Sequence, residues 1–299
     1  MKKIAVLSLL SLSLLGCGSD EARPGVPPSL PEPSEPSEPS EPSEPSEPSE
    51  PSEPSEPSEP SEPSEPSEPS EEAYELLSGI YTGLTSEGEI AEGLIDDNKR
   101  LWVIYSDNPN TYPDGDVLGF ITSKTGVPDT AGEFDVSGKN YSYESRRALD
   151  ITITGNYKKP NTLSGKVFDL PINATTYDLK YDKALSNREQ NLLSITNKSF
   201  TGIAYISGDD EAGSLTVKID TKGNFTGKDT YGCTMKGKFT LSSQLNRYFD
   251  STVTFGEYPC YAPNETLKGV ALLDKDGELI VIGTDDSRNK GIFFSGSAE

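Results

Sequence analysis

The stretch SLTVKID, residues 214–220, alternates apolar and polar side chains at every position. Its apolar set is Leu215, Val217 and Ile219. Successive side chains of a β-strand point to opposite faces, so this alternation predicts a strand with one buried face and one exposed face. The residues that follow, TKGN at 221–224, are typical of a tight turn. Together they predict the first half of a β-hairpin.

The same alternation recurs in ALDITITG (148–155) and KGKFTLS (236–242). Two other stretches, LWVIYS (101–106) and ELIVIG (278–283), are continuous apolar runs, which predict strands covered on both faces. Trp102 lies in the first of these runs, and we expect it in the core rather than on a sugar-binding surface. Short strands separated by Gly, Asp and Asn turns predict an all-β fold, an antiparallel barrel or sandwich.

Two features suggest that the β-rich part contains two related lobes with one short connecting helix. The segment DKALSNREQNLLS (182–194) has the partial periodicity of a helix, with apolar residues Ala184, Leu185, Leu192 and Leu193. Segments 92–108, 201–220 and 268–286 share one outline, a glycine, an apolar strand, an acidic turn and a second strand. The alternative explanation is that any hairpin with an acidic turn has this outline.

The N-terminus has the features of a secretory signal peptide. Two lysines precede a twelve-residue apolar run, Ile4 to Leu15, which is too short to span a bilayer. The run ends in Leu14-Leu15-Gly16-Cys17, which resembles the lipobox of bacterial lipoproteins. This resemblance implies a signal peptide over 1–16, cleavage before Cys17 and attachment of lipid, including palmitate, to Cys17. The following Gly18 resembles the outer-membrane sorting pattern.

A uniform repeat follows the predicted anchor. Pro-Ser-Glu occurs thirteen times in succession from Pro33 to Glu71. Proline every third residue fixes φ and removes N–H donors, and no apolar side chain is present to form a core. The sequence predicts a disordered, polyproline-II-like linker over 17–73, whose repeat reaches at most about 120 Å. Its expected role is to hold the β-rich part away from the membrane.

Charge and composition exclude several functions. Removing the fourteen glutamates of 32–71 from the formal charge of −23 leaves −9, so the rest of the chain is acidic. Nucleic-acid-binding proteins present basic surfaces, and we expect no such partner. The chain has no His, which removes the commonest general base and metal ligand. No nucleophile elbow or phosphate-binding loop is present, and we assign no catalytic residue and no cofactor.

The two other cysteines, Cys233 and Cys260, are expected to form a disulfide, because exported compartments oxidise such pairs. The segment between them contains two strand patterns and the polar stretch SSQLN (242–246), which allows it to fold back. Acidic turns at 106–116, 207–213 and 274–278 could bind Ca²⁺, but Asp and Gly are also the residues that turns require. We therefore assign no metal ligand.

The section from about 195 to 299, with its Gly-Cys pair, second cysteine and closing glycine-rich strands, resembles a loose group of uncharacterised proteobacterial lipoproteins. The resemblance implies a β-barrel-like fold and brings no activity. In layout the chain also resembles Gram-negative surface lipoproteins that present barrel lobes on a flexible anchor, such as the transferrin-binding and factor H-binding types.

The sequence thus predicts four parts: the signal peptide (1–16), the linker (17–73), an N-terminal β lobe (74–181), and a helix with a C-terminal β lobe (182–299). The predicted function is that of an outer-membrane lipoprotein whose lipid contacts the membrane and whose β-rich part is a binding or structural module for a protein or glycan. An envelope hydrolase that uses carboxylates and a periplasmic accessory protein of a secretion or adhesion system stay open as alternatives. The anchor fits surface or periplasmic display.

Overall fold

The computed structural model describes six stretches of the chain, residues 74–111, 116–128, 131–169, 174–209, 212–243 and 246–299. The predicted signal peptide and linker, residues 1–73, lie outside these residues. The stretch from Glu71 to Glu299 is one compact unit. Within its described residues no helix has the length and apolarity needed to cross a bilayer.

The first barrel is a closed up-and-down meander of eight antiparallel strands, in which β1 pairs with both β2 and β8. Its strands are β1 Gly79–Thr85, β2 Ile90–Ile95, β3 Leu101–Ser106, β4 Val117–Ser123, β5 Glu133–Ser142, β6 Ala148–Asn156, β7 Thr162–Phe168 and β8 Ala174–Tyr181.

The second barrel has the same topology and closes by pairing its first strand with its last. Its strands are β9 Ser199–Ile206, β10 Gly213–Ile219, β11 Asn224–Asp229, β12 Thr234–Leu241, β13 Phe249–Phe255, β14 Thr266–Leu273, β15 Leu279–Thr284 and β16 Gly291–Ala298. The prediction of an all-β fold with two lobes is confirmed, and each lobe is a barrel.

The predicted helix over 182–194 is wrong in its length. The segment contains one α-helical turn, α1 Lys183–Ser186, and one 3₁₀ turn, Leu192–Ser194. Polar side chains of this segment form hydrogen bonds with both barrels. The Ser186 hydroxyl accepts a hydrogen bond from Ile80 N, and the Gln190 side chain bonds both the backbone N–H and the carbonyl of Leu273. The segment therefore connects the two barrels and is hydrogen-bonded to each of them.

Four hairpin turns share one arrangement. The carboxylate of the first turn residue accepts the backbone N–H groups two and four residues later, and the residue three positions later has positive φ. The leading residues are Asp96, Asp220, Asp229 and Asp274. Three of the positive-φ positions are glycine, which adopts this conformation without steric cost. Turn sequences that begin with Asp and contain Gly therefore predict hairpins, because the carboxylate binds the backbone N–H groups of the turn and glycine adopts the positive φ.

The two barrels pack against each other through outward-facing apolar side chains. Residues of β2–β5 meet residues of β14–β16, and Tyr248 just before β13, in one buried cluster. Its members are Leu94, Trp102, Phe120, Tyr141, Tyr248, Val270, Ile282 and Phe293. Gly291 lets the surfaces approach closely, since a Cβ there would lie 2.5 Å from Tyr141 Cδ1 and 2.7 Å from Phe120 Cζ. The Tyr141 hydroxyl donates to the carbonyl of Arg288 at 3.0 Å, and Arg288 Nη2 donates to the carbonyl of Thr122 at 2.8 Å.

This interface explains why the runs LWVIYS and ELIVIG are continuously apolar. In β3, Leu101 and Val103 face the barrel interior, whereas Trp102 and Ile104 face the other barrel. In β15, Leu279 and Val281 likewise face inward while Ile280 and Ile282 face the interface. The similar segments 92–108 and 268–286 occupy the second and third strands of one barrel but the sixth and seventh of the other. Their likeness thus follows from a shared environment and not from equivalent positions.

Trp102 is 3% exposed, and its Nε1 donates to Asp96 Oδ2 at 2.9 Å. Replacing this side chain by Ala removes a large buried ring from the interface and leaves the Asp96 oxygen without that donor. We expect Trp102→Ala to lower the free energy of unfolding by roughly 3–5 kcal/mol, measured by urea denaturation followed by far-UV circular dichroism. Leu84→Ala is the control: this outward residue of β1 is 50% exposed, so a change within about 0.5 kcal/mol is expected. Equal effects of the two variants would contradict the interface assignment.

Candidate ligand-binding cavity

The interiors of the two barrels differ in the size of their side chains. Six phenylalanines fill the second barrel, at positions 200, 225, 239, 249, 255 and 294. The first barrel has Ala91, Val103, Ile153, Leu163 and Val167 at inward positions of its middle. Eight-stranded barrels have interiors that side chains either fill or leave with room for one small ligand. The shorter side chains leave a cavity in the first barrel.

The cavity has a volume of about 580 Å³, within the range of roughly 300–1,000 Å³ typical of sites for small molecules. Its walls are mainly apolar and come from strands all around the barrel. The wall residues are Ala91, Leu101, Val103, Leu118, Ile121, Ile153, Leu163, Val167 and Leu179. A cavity of this size and lining can surround the apolar part of one small molecule.

One end of the first barrel is closed. Leu76, Val127 and Tyr157 lie beyond the strands at this end and are at most 4% exposed. They are held in place by hydrogen bonds: the Tyr157 hydroxyl donates to the carbonyl of Pro128 at 2.7 Å, and Lys99 Nζ donates to that of Leu76 at 2.5 Å. A ligand must therefore enter from the opposite end.

The opposite end carries the polar residues of the lining. The described residues of the β1–β2, β3–β4, β5–β6 and β7–β8 connections lie at this end, where an up-and-down meander places them. The lining residues here are Thr85, Glu89, Ser142, Tyr143, Glu144, Asp169 and Thr175. Tyr143 packs against Tyr205 of the second barrel, with ring centroids 3.8 Å apart, and the Tyr205 hydroxyl donates to the carbonyl of Ser142. The second barrel thereby fixes one side of the mouth.

Two tyrosine hydroxyls lie deeper in the cavity wall. Tyr105 donates to Asn140 Oδ1 at 2.9 Å, and Tyr177 donates to the carbonyl of Thr154 at 2.7 Å. Burial raises the pKa of Tyr105 to about 12 and also raises the pKa of Tyr177. Both hydroxyls thus stay neutral at physiological pH, and they have protein partners. The deep part of the cavity is uncharged and favours an uncharged, apolar ligand group.

Glu89 is the half-buried carboxylate of the mouth. Its Oε2 accepts a hydrogen bond from the Thr85 hydroxyl at 3.0 Å. Burial raises the pKa of Glu89, the Thr85 hydrogen bond opposes this, and the nearby charges of Glu87 and Asp107 raise it further. None of the lining residues is Lys or Arg. The Glu89 carboxylate is therefore partly shielded from solvent, lies near other carboxylates, and has no Lys or Arg beside it in the lining.

The two cysteines that the sequence predicts to be paired do not line this cavity. Cys17 lies outside the described residues, so its lipid attachment stays a prediction. Cys233 and Cys260 form the predicted disulfide, with Cα atoms 4.5 Å apart, and connect the β11–β12 and β13–β14 loops of the second barrel. The intervening chain folds back as predicted, because β12 and β13 pair as a hairpin on either side of the SSQLN stretch.

The acidic turn that the structure describes in full, 274–278, has a structural role. In turn 274–278, Asp274 Oδ1 accepts the N–H groups of Asp276 and Glu278 at 2.8 Å each. Parts of the turns at 106–116 and 207–213 fall outside the described residues. Over the stretches that the structure describes, no group of three or more Cys, Asp or Glu side chains is placed to hold a metal ion.

The cavity was missed because its lining comes from residues far apart in the chain. A usable signal was nevertheless present: beside its tyrosines the first lobe has small or aliphatic inward residues such as Ala91, Val103 and Val167, whereas the inward positions of the second are rich in Phe. Comparing the volumes of inward side chains in two lobes of the same topology identifies the lobe with space inside.

No protein-family model matches the chain, and no curated protein matches it. Among solved structures, the chain is similar to the isotype 1 transferrin-binding protein B from serogroup B Neisseria meningitidis, with a TM-score of 0.26 and 9% sequence identity. The match covers 71% of this chain and 66% of the meningococcal chain, just under two thirds of the latter. At this identity and TM-score, nothing about that protein's ligand is carried over to this chain.

Proposed function

We propose that this chain is a lipid-anchored binding protein of the outer membrane whose first barrel holds one small, largely apolar molecule. The observation that carries the proposal is the cavity: a volume of about 580 Å³ with apolar walls, closed at one end and lined by polar residues at the other. The second barrel, filled by phenylalanine, supports the mouth through Tyr205.

The anchor and linker give this binding protein its location. The apolar run that ends in Cys17 supports lipid attachment, and the Pro-Ser-Glu repeat supports an extended spacer between lipid and barrels. Protease treatment of intact cells distinguishes the two sides of the membrane: loss of the barrels means surface display, and survival means periplasmic display.

We assign the cavity a binding role and no reaction. Its lining contains neither His nor Cys, and its tyrosine hydroxyls are engaged with protein partners. These features support binding over the hydrolase alternative.

The test is a titration of the unlipidated mature chain, residues 18–299, with the neutral apolar dye Nile red. We expect saturable binding of one dye per chain, seen as a blue shift and an increase of the dye's fluorescence, and competition by decanol. Six phenylalanines occupy the interior of the second barrel, so we expect the first barrel to bind the dye, with a stoichiometry of one. Linear, non-saturating fluorescence that decanol leaves unchanged would reject the proposal.

A further inference from the structure

The charge of the mouth restricts which apolar molecule the cavity accepts. The described residues of the four connections at this end include six acids and two basic residues. The acids are Glu87, Glu89, Asp107, Asp116, Glu144 and Asp169, and the basic residues are Arg146 and Arg147. Neither arginine lines the cavity, whereas three of the acids do. An entrance with this excess of one charge repels anions and attracts cations.

Aromatic rings accompany the acids in the lining. Tyr143 lines the mouth next to Glu144, and Tyr105 lies further in, with its hydroxyl bound to Asn140. The faces of aromatic rings attract ammonium groups, and aromatic side chains are the usual partners of quaternary amines in proteins. The mouth therefore combines the two types of side chain that bind an alkylated ammonium group.

Glu89 is the acid best placed to bind such a group. It is half-buried, it accepts one hydrogen bond from Thr85, and it forms no ion pair within the part of the chain that the structure describes. A partly buried carboxylate without a counter-charge is costly, and a cation that binds beside it offsets this cost. Glu144 and Asp169 are exposed, so solvent weakens their contribution.

We infer that the ligand is a cationic amphiphile, with its apolar body inside the first barrel and an amine or alkylated ammonium group at the mouth beside Glu89 and Tyr143. The inference rests on the proposed binding role of the cavity and adds the charge of the ligand. It excludes fatty acids and other anionic amphiphiles, although their apolar parts fit the same walls.

The experiment compares three competitors that share one alkyl chain: decyltrimethylammonium, decanol and decanoate. Each displaces Nile red from the unlipidated mature chain at low ionic strength, below its micelle concentration. We expect decyltrimethylammonium to bind at least about tenfold more tightly than decanoate, which corresponds to about 1.4 kcal/mol. High salt should reduce this preference, because it screens the exposed carboxylates.

Glu89→Gln is the variant that tests the mouth, since Gln keeps the shape and can still accept from Thr85. We expect it to reduce the preference for decyltrimethylammonium over decanoate several-fold. Glu257→Gln removes the same charge from an exposed site on the second barrel and is the matched control. It should leave all three affinities as they are.

The outcomes separate this inference from the function on which it rests. If decanol and Nile red bind but decanoate binds as well as the ammonium compound, the charge inference is overturned and the binding role stands. Equal effects of Glu89→Gln and Glu257→Gln also overturn the assignment of the cation to the mouth. If neither Nile red nor any competitor binds, the proposed function itself is rejected.

Discussion

Replacing Ala91 by Trp and Val167 by Phe is expected to lower the affinity of the first barrel for Nile red at least about 100-fold, or about 2.8 kcal/mol. Both residues lie in the cavity wall on different strands, β2 and β7. The new rings project into the space that the ligand needs, much as phenylalanines occupy the second barrel. The cavity gives them room, so any cost of overpacking should stay at about 1–3 kcal/mol or below.

The control for this double variant is Leu84→Trp, which adds a ring to the outer face of β1, where the side chain is already half exposed. Its affinity for Nile red should equal that of the wild type. Circular dichroism melts of all three proteins establish that each is folded at the temperature of the titration. A folded double variant with unchanged affinity would show that the dye binds elsewhere.

Replacing Cys17 by Ser should abolish lipid labelling and remove the protein from the outer-membrane fraction. Serine has no thiol to which the lipid can be attached, and each buried CH₂ of an acyl chain contributes about 0.8 kcal/mol to membrane binding. The measurements are incorporation of an alkyne-labelled fatty acid and fractionation of the envelope.

The matched control exchanges the other two cysteines. Cys233→Ser with Cys260→Ser removes the disulfide of the second barrel and should leave lipid labelling at the wild-type level. Because this variant also contains Cys→Ser changes, it separates lipid attachment from a general effect of losing sulfur. Labelling that persists in Cys17→Ser would contradict the lipobox assignment.

Local features of the sequence were sufficient for most of the fold. Alternation in SLTVKID correctly predicted β10, and the turn sequences DDNK, TKGN and DKDG correspond to hairpins closed by an Asp carboxylate. Each of these signals acts between residues at most a few positions apart. The short connecting helix is present, but it spans only Lys183–Ser186 instead of 182–194. Further along this segment, Gln190 forms hydrogen bonds with Leu273 of the second barrel, a contact that local periodicity does not reveal.

The candidate site was accessible to sequence reasoning only in part. The pattern of ALDITITG places Ile151 and Ile153 on the inner face of β6, and Ile153 does line the cavity. Nothing in that stretch shows that Val167 lies beside Ile153 on the neighbouring strand, or that Ala91 of the distant strand β2 lines the same cavity. The acids of the mouth are likewise separate in sequence, and closure of the barrel brings them to one end.

By itself the sequence determined the strands, their hairpin turns, the cysteine pair and the covered faces of β3 and β15, because these depend on the order of neighbouring residues. It left open what covers those faces, and the tertiary structure shows that each barrel covers the other. Only the tertiary structure decided the cavity and its charged mouth. The physical reason is barrel closure: Tyr81 of the first strand pairs with Tyr181 of the last. The empty volume inside depends on side chains from all eight strands at once.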